Sequence, residues 1–145
     1  MKKLKQQPVG LVKRYNAITE DARAQQYGHE VNTWLRTLDY LQQENIYLKN
    51  RVADLLQYDV HSDYLDKIEY FHNKFIDKDA VLSLLRHDMI ELAAKVDLQD
   101  ERTTKQALQK EEHLRRDMEK METEFSRLKS DFNEYVFGVL LPASA

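Results

Sequence analysis

The chain contains no cysteine, only three glycines and two prolines, and no apolar run of more than about seven residues. Without thiols it has no disulfide, no thiolate metal site and no cysteine nucleophile. Scarce glycine and proline leave little of the turn chemistry that a β-rich fold uses at every reversal. The apolar stretch at 136–141 is far short of the roughly 20 residues that span a bilayer. No glycine-rich phosphate loop is present, and Ser62, Ser83, Ser126 and Ser130 lack the glycine-flanked elbow of a nucleophilic serine. Catalysis is not expected, no cofactor is called for, and the expected compartment is the cytoplasm.

What is abundant is charge and helical periodicity. Charged residues make up 32% of the chain and the mean hydropathy is −0.71, which suits long solvated helices. The 145 residues are enough for one domain with a core of its own. Residues 1–18 form a basic arm, expected to be partly flexible. It carries Lys2, Lys3, Lys5, Lys13 and Arg14 and no acid, which leaves −8 for the rest of a chain whose net charge is −3. Such an arm can meet an acidic partner, a membrane surface or nucleic acid.

The clearest pattern lies in 31–59. Val31, Trp34, Leu38, Leu41, Asn45, Leu48, Val52 and Leu55 alternate steps of three and four, and so mark one stripe of an α-helix. With Thr19 as N-cap and acids following it, this first helix is expected over about 20–58. The phase is lost near 59–62, where a turn is expected. A second stripe then runs through Tyr64, Ile68, Phe71, Phe75, Lys78, Leu82, Leu85, Met89, Leu92 and Val96, for a helix over 63–98. Its phase holds across Asp77, the alternative being two shorter helices divided there. A third stripe, Ala107, Glu111, Leu114, Met118, Met121, Phe125, Leu128, Phe132, Tyr135 and Val139, gives a helix over 104–138, capped by Thr103 or Thr104 and closed by Gly138 and Pro142. Residues 142–145 are a tail.

Three stripes of similar length cannot stay in water, so they must face one another. The expected fold is all-α, an elongated antiparallel up-down-up three-helix bundle with coiled-coil-like heptad packing, occupying 19–141 as a single domain. Folding the chain about residue 60 sets Asn45 opposite 75–78, and folding it about 101 sets Lys78 near Glu122 and Glu124. Asn45, Lys78 and Glu124 are therefore expected in one polar layer at mid-bundle, pinning the register.

Metal chemistry has one thin signal. Glu69 and His72 form a single Glu-x-x-His pair, and no second one exists to complete a di-iron bundle. His87 and Glu91, one turn apart, are the other candidate ligands. Binding surface has a broader one. The first two helices carry apolar residues outside their stripes, among them Tyr40, Ile46, Tyr47, Ile76, Leu84 and Ile90, whereas the third is charged almost everywhere off its stripe. Clustered apolar residues of this kind meet a partner. The expected function is a non-enzymatic interaction or scaffold module that self-associates, as a dimer, through the first two helices. The alternatives are a metal- or small-ligand-binding bundle, and an adaptor steered to an acidic partner by the basic arm.

Overall fold

The computed structural model describes the backbone of residues 9–58, 62–95 and 101–140, with side chains from residue 22 onward except those of 24, 101, 103 and 104. The described residues form three helices and no strand: α1 (Val9–Gln57), α2 (Ser62–Lys95) and α3 (Glu101–Tyr135), the last running on into a π-helical turn at Val136–Leu140.

Cross-helix pairs give the topology. Between α1 and α2, Asn45 meets Phe75 and Asp79 while Arg86 meets Gln42 and Asp39, so residue numbers fall on one helix as they rise on the other. Between α2 and α3, Lys78 meets Glu124 and Phe71 meets Phe132, again in opposite order. Between α1 and α3, Glu30 meets Arg115 and Glu44 meets Lys129, with a constant offset. Constant offset means parallel and inverse order antiparallel. This is the expected up-down-up bundle.

Its core is the three stripes. Val31, Leu38, Leu48, Val52, Ile68, Phe75, Leu82, Met89, Met118 and Phe132 are all at most 2% exposed. Phe132 stands edge-on to both Phe71 and Phe75, with ring centroids 5.3 and 5.4 Å apart, a geometry that matches ring edges to ring faces. α2 packs extensively on both neighbours. α1 and α3 touch less, and ion pairs bridge them.

The helix ends differ from expectation. α1 begins at Val9, not near 20, so Gly10 lies within it and Thr19 is no N-cap. A helix-interior glycine costs only about 1 kcal/mol, too little to stop a helix whose Leu11, Tyr15 and Ile18 keep helical spacing. α2 is continuous through Asp77, because Phe75 and Leu82 on either side are both fully buried in the same stripe. α3 starts at Glu101, which puts Thr103 and Thr104 inside it rather than at its cap. At the far end Gly138 does not close the helix: it has no positive φ, and the π-turn carries through it. That wider turn changes the stripe's last residue. Val136 is buried and Val139 is exposed, the reverse of the heptad expectation. Residues 1–8 of the arm, the turn at 59–61 and the tail at 142–145 lie outside the described residues. Among the described residues, no helix is long and apolar enough to cross a membrane.

Candidate functional site

Three kinds of site can be built on this frame: polar groups within the seams, apolar side chains on its surface, and clusters of titratable groups. Asn45 stands at a core-facing position of α1 and is 0% exposed. Its amide donates across the seam to the Phe75 carbonyl at 2.9 Å and to Asp79 Oδ1 at 2.6 Å, and Lys49 caps the other oxygen of Asp79. Its own Oδ1 has no partner among the described residues. Lys78, one residue from Asp79, points about 100° away round α2 and reaches Glu124 on α3 at 2.9 Å. Lys78 holds the Glu124 carboxyl below its usual range. Asn45, Lys78 and Glu124 thus lie at one level of the bundle in two polar contacts, one in each seam of α2. Asp79 and Lys49 are the partners that heptad position alone does not identify, because both stand just beside the stripes.

On the surface, Tyr40, Ile46, Tyr47, Ile76, Leu84 and Ile90 are all exposed, from 45% for Ile46 and Ile76 to 62% for Tyr40. They do not share one face. Tyr40 and Tyr47, seven residues apart, lie on the side of α1 towards α3. There Arg51 sits over the rings of Tyr47 and Phe137, 6.0 and 5.7 Å from their centroids. Ile46, one residue from Tyr47, turns about 100° away to the α2 side. Ile76 and Ile90 flank the same α1–α2 groove, since they stand about one helical turn from Asp79 and Arg86, which bond to α1. Leu84 lies on the outer edge of α2.

The candidate metal ligands fall in two separate places. His87 lies 3.5 Å from Asp88 and 3.8 Å from Glu91, and one ligand atom from each of the three fits within 4.8 Å. His87 and Glu91 are exposed. Glu69 and His72 lie some four turns away along α2 and join no such group among the described residues.

A fourth arrangement, with no sequence motif to announce it, lies between α1 and α3 where Trp34 and Tyr27 enter the core. Arg115 bonds Glu30 and Glu111 at 2.7 Å each and Glu112 at 3.1 Å, so three carboxyl groups share one guanidinium. Glu111 occupies a core-facing position and is 9% exposed. Burial, and then the neighbouring Glu30, push its carboxyl up to about 7. The bond it donates as a neutral acid holds Glu30 below the usual carboxylate range. Tyr27, beside them, is 1% exposed with no partner for its hydroxyl among the described residues, and burial raises its phenol. The periodicity marks Glu111 only as an acid in an apolar stripe. Arg115, one turn on in the same helix, is a local partner, but Glu30 comes from a helix some 80 residues away in the chain and is invisible locally.

No family model matches the chain, and no curated protein or solved structure matches it either.

Proposed function

We propose that the chain is a non-catalytic interaction and scaffold module that self-associates as a dimer through the α1–α2 side of the bundle. One observation carries this reading. Ten large apolar side chains are exposed on α1, α2 and at Tyr58, whereas the described residues of α3 expose none before the π-turn. A bundle with no partner has no reason to concentrate its exposed apolar groups on two helices, and those that border one groove mark a contact surface. Ile46, Ile76 and Ile90 line the α1–α2 groove, whereas Leu84, two residues from Arg86 and so turned about 160° from it, stands on the outer side of α2. A face about 50 Å long and two helices wide offers roughly 1,000 Å², which exceeds the roughly 800 Å² per partner of a stable interface. A twofold axis through it lets the isoleucines of each copy cover those of the other.

Sedimentation velocity over a range of micromolar concentrations tests this. The expected species is a dimer, and the pair Ile46→Lys with Ile90→Lys should turn it into a monomer of unchanged helicity. Tyr40→Lys with Tyr47→Lys, on the other side of α1, should leave the dimer intact. A wild-type chain that stays monomeric at these concentrations contradicts the reading.

A further inference from the structure

α1 is longer than its partners. Glu30 pairs with Arg115 and Glu44 with Lys129, each 85 residues apart, so the first residue of α3, Glu101, is level with Asn16. Residues 9–15 therefore run on past the start of α3. The apolar pattern of this segment is turned over relative to the bundle. Along 22–54, three lines of residues at seven-residue spacing are exposed without exception: those through Gln25, through Gln26 and through His29. Because α1 is one unbroken helix, each line carries back into its first turns. Ile18 and Leu11 fall on the first line, Val12 on the second and Tyr15 on the third. The core lines, through Tyr27 and Val31, carry back instead to Glu20, Lys13, Ala17 and Gly10. The apolar positions at the start of α1 thus lie on the side of the helix away from α2 and α3.

We propose that this side of α1 lies on the surface of a bilayer containing anionic lipid, with the line from Leu11 to Ile18 at the boundary between headgroups and acyl chains. Two features of the same segment choose this occupant. Residues 1–19 hold five basic residues and no acid, which asks for an anionic partner, and the apolar line asks for one that is apolar as well. Nucleic acid meets the first demand and has no use for the second. A second copy meets the second, but sets five like charges against five. A helix that lies in the membrane interface has this composition, and an apolar face joined to a basic cluster supplies both of the signals that attachment needs. Lys13 stands across the helix from Leu11 and Arg14 at its flank, and their long side chains can reach lipid phosphates. Farther along, the same side stays compatible with an anionic surface. Between 22 and 50 its charged residues are Arg36 and Asp39, which cancel, and it presents the exposed Tyr40 and Tyr47, rings suited to headgroup depth.

Cosedimentation of the full chain with vesicles tests this. Phosphatidylcholine vesicles with about 30% phosphatidylserine should bind it, and phosphatidylcholine alone should bind at least about tenfold more weakly, a difference that shrinks at high salt. Leu11→Gln with Ile18→Gln should weaken binding to the anionic vesicles about tenfold at unchanged helicity. Lys13→Gln with Arg14→Gln should weaken it roughly 25-fold, each basic residue near the surface being worth about fivefold. Because the chain has no cysteine, a polarity-sensitive dye can be placed at one position at a time. On Ala22→Cys, in line with Tyr15, its emission should shift to the blue with anionic vesicles; on Ala17→Cys, in line with Val31, it should not. No binding to the anionic vesicles, equal binding to phosphatidylcholine alone, or equal dye shifts at the two positions would each overturn the proposal. So would unchanged binding by Leu11→Gln with Ile18→Gln, the mark of an arm that answers to charge alone and suits nucleic acid.

Discussion

Asn45 shows how one side chain holds a register. Its amide satisfies a main-chain carbonyl and a carboxylate on α2, and both contacts are lost if the helices slide by a turn. The net worth of such bonds is modest, since they replace bonds to water, while the unpartnered Oδ1 is a cost. Asn45→Leu should therefore leave stability unchanged or raise it by about 1 kcal/mol in urea titration. It should also multiply the amide resonances in NMR spectra as competing registers become populated. A variant that loses stability but keeps one set of resonances would show that Asn45 is a strength contact and not a pin.

Glu111 is the second residue with a measurable signature. Its carboxyl titrates at about 7 in the folded chain against 4.5 for an unperturbed glutamate. The unfolded state therefore releases this proton at lower pH than the folded state does. The stability tied to the protonated form is complete below pH 4.5 and is lost as pH rises towards 7. Glu111→Gln keeps a neutral hydrogen-bonding group there, so the stability of wild type relative to the variant should fall across that interval. Glu30, shifted downward, contributes with the opposite sign. The glutamine amide can still donate to Glu30, so comparing the two proteins pH by pH in urea melts cancels most of that contribution.

At the scale of the element, α1 shows how stripe and propensity combine. Gly28 lies within this helix, next to the buried Tyr27, and a methyl group placed on its Cα would meet nothing within 4 Å. Its cost is purely one of backbone freedom. Gly28→Ala should add about 0.5–1 kcal/mol, read as a higher midpoint in thermal melts with no change in oligomeric state. α3 illustrates the reverse. Its stripe continues past Tyr135 only by widening into a π-turn, which takes Val136 inward and leaves Phe137 outside, against Arg51.

Over the whole molecule, the ring cluster ties the C-terminal part of α3 to the first half of α2. Phe132 is fully buried against Phe71 and Phe75. Phe132→Ala removes a ring that the surrounding helices cannot collapse to replace, and should cost about 3–5 kcal/mol in chemical denaturation. The largest loss of hydrogen-exchange protection should fall where α2 and α3 meet. The proposed dimer adds its own term at this scale. Mass action makes the melting temperature rise with protein concentration, and Ile46→Lys with Ile90→Lys should remove that dependence.

The stripes from Val31 to Leu55, Ile68 to Leu92 and Ala107 to Phe132 are legible in the sequence because a helix repeats every 3.6 residues, and local spacing alone reveals which face must be buried. Three such faces of similar length, joined by short polar breaks, leave an antiparallel bundle as the economical packing. That much follows from the amino-acid order. The helix ends do not, because a terminus is decided by about 1 kcal/mol of capping and propensity, as at Gly10 and Thr103. Nor do the partners of Asn45 and Glu111. Arg115 is one turn from Glu111 on its own helix, but Asp79, Lys49 and Glu30 stand off the stripes, where solvated charges in other helices look the same. Only the rotation of each helix about its axis brings them within hydrogen-bond reach, and that rotation is set by the packing of all three helices together.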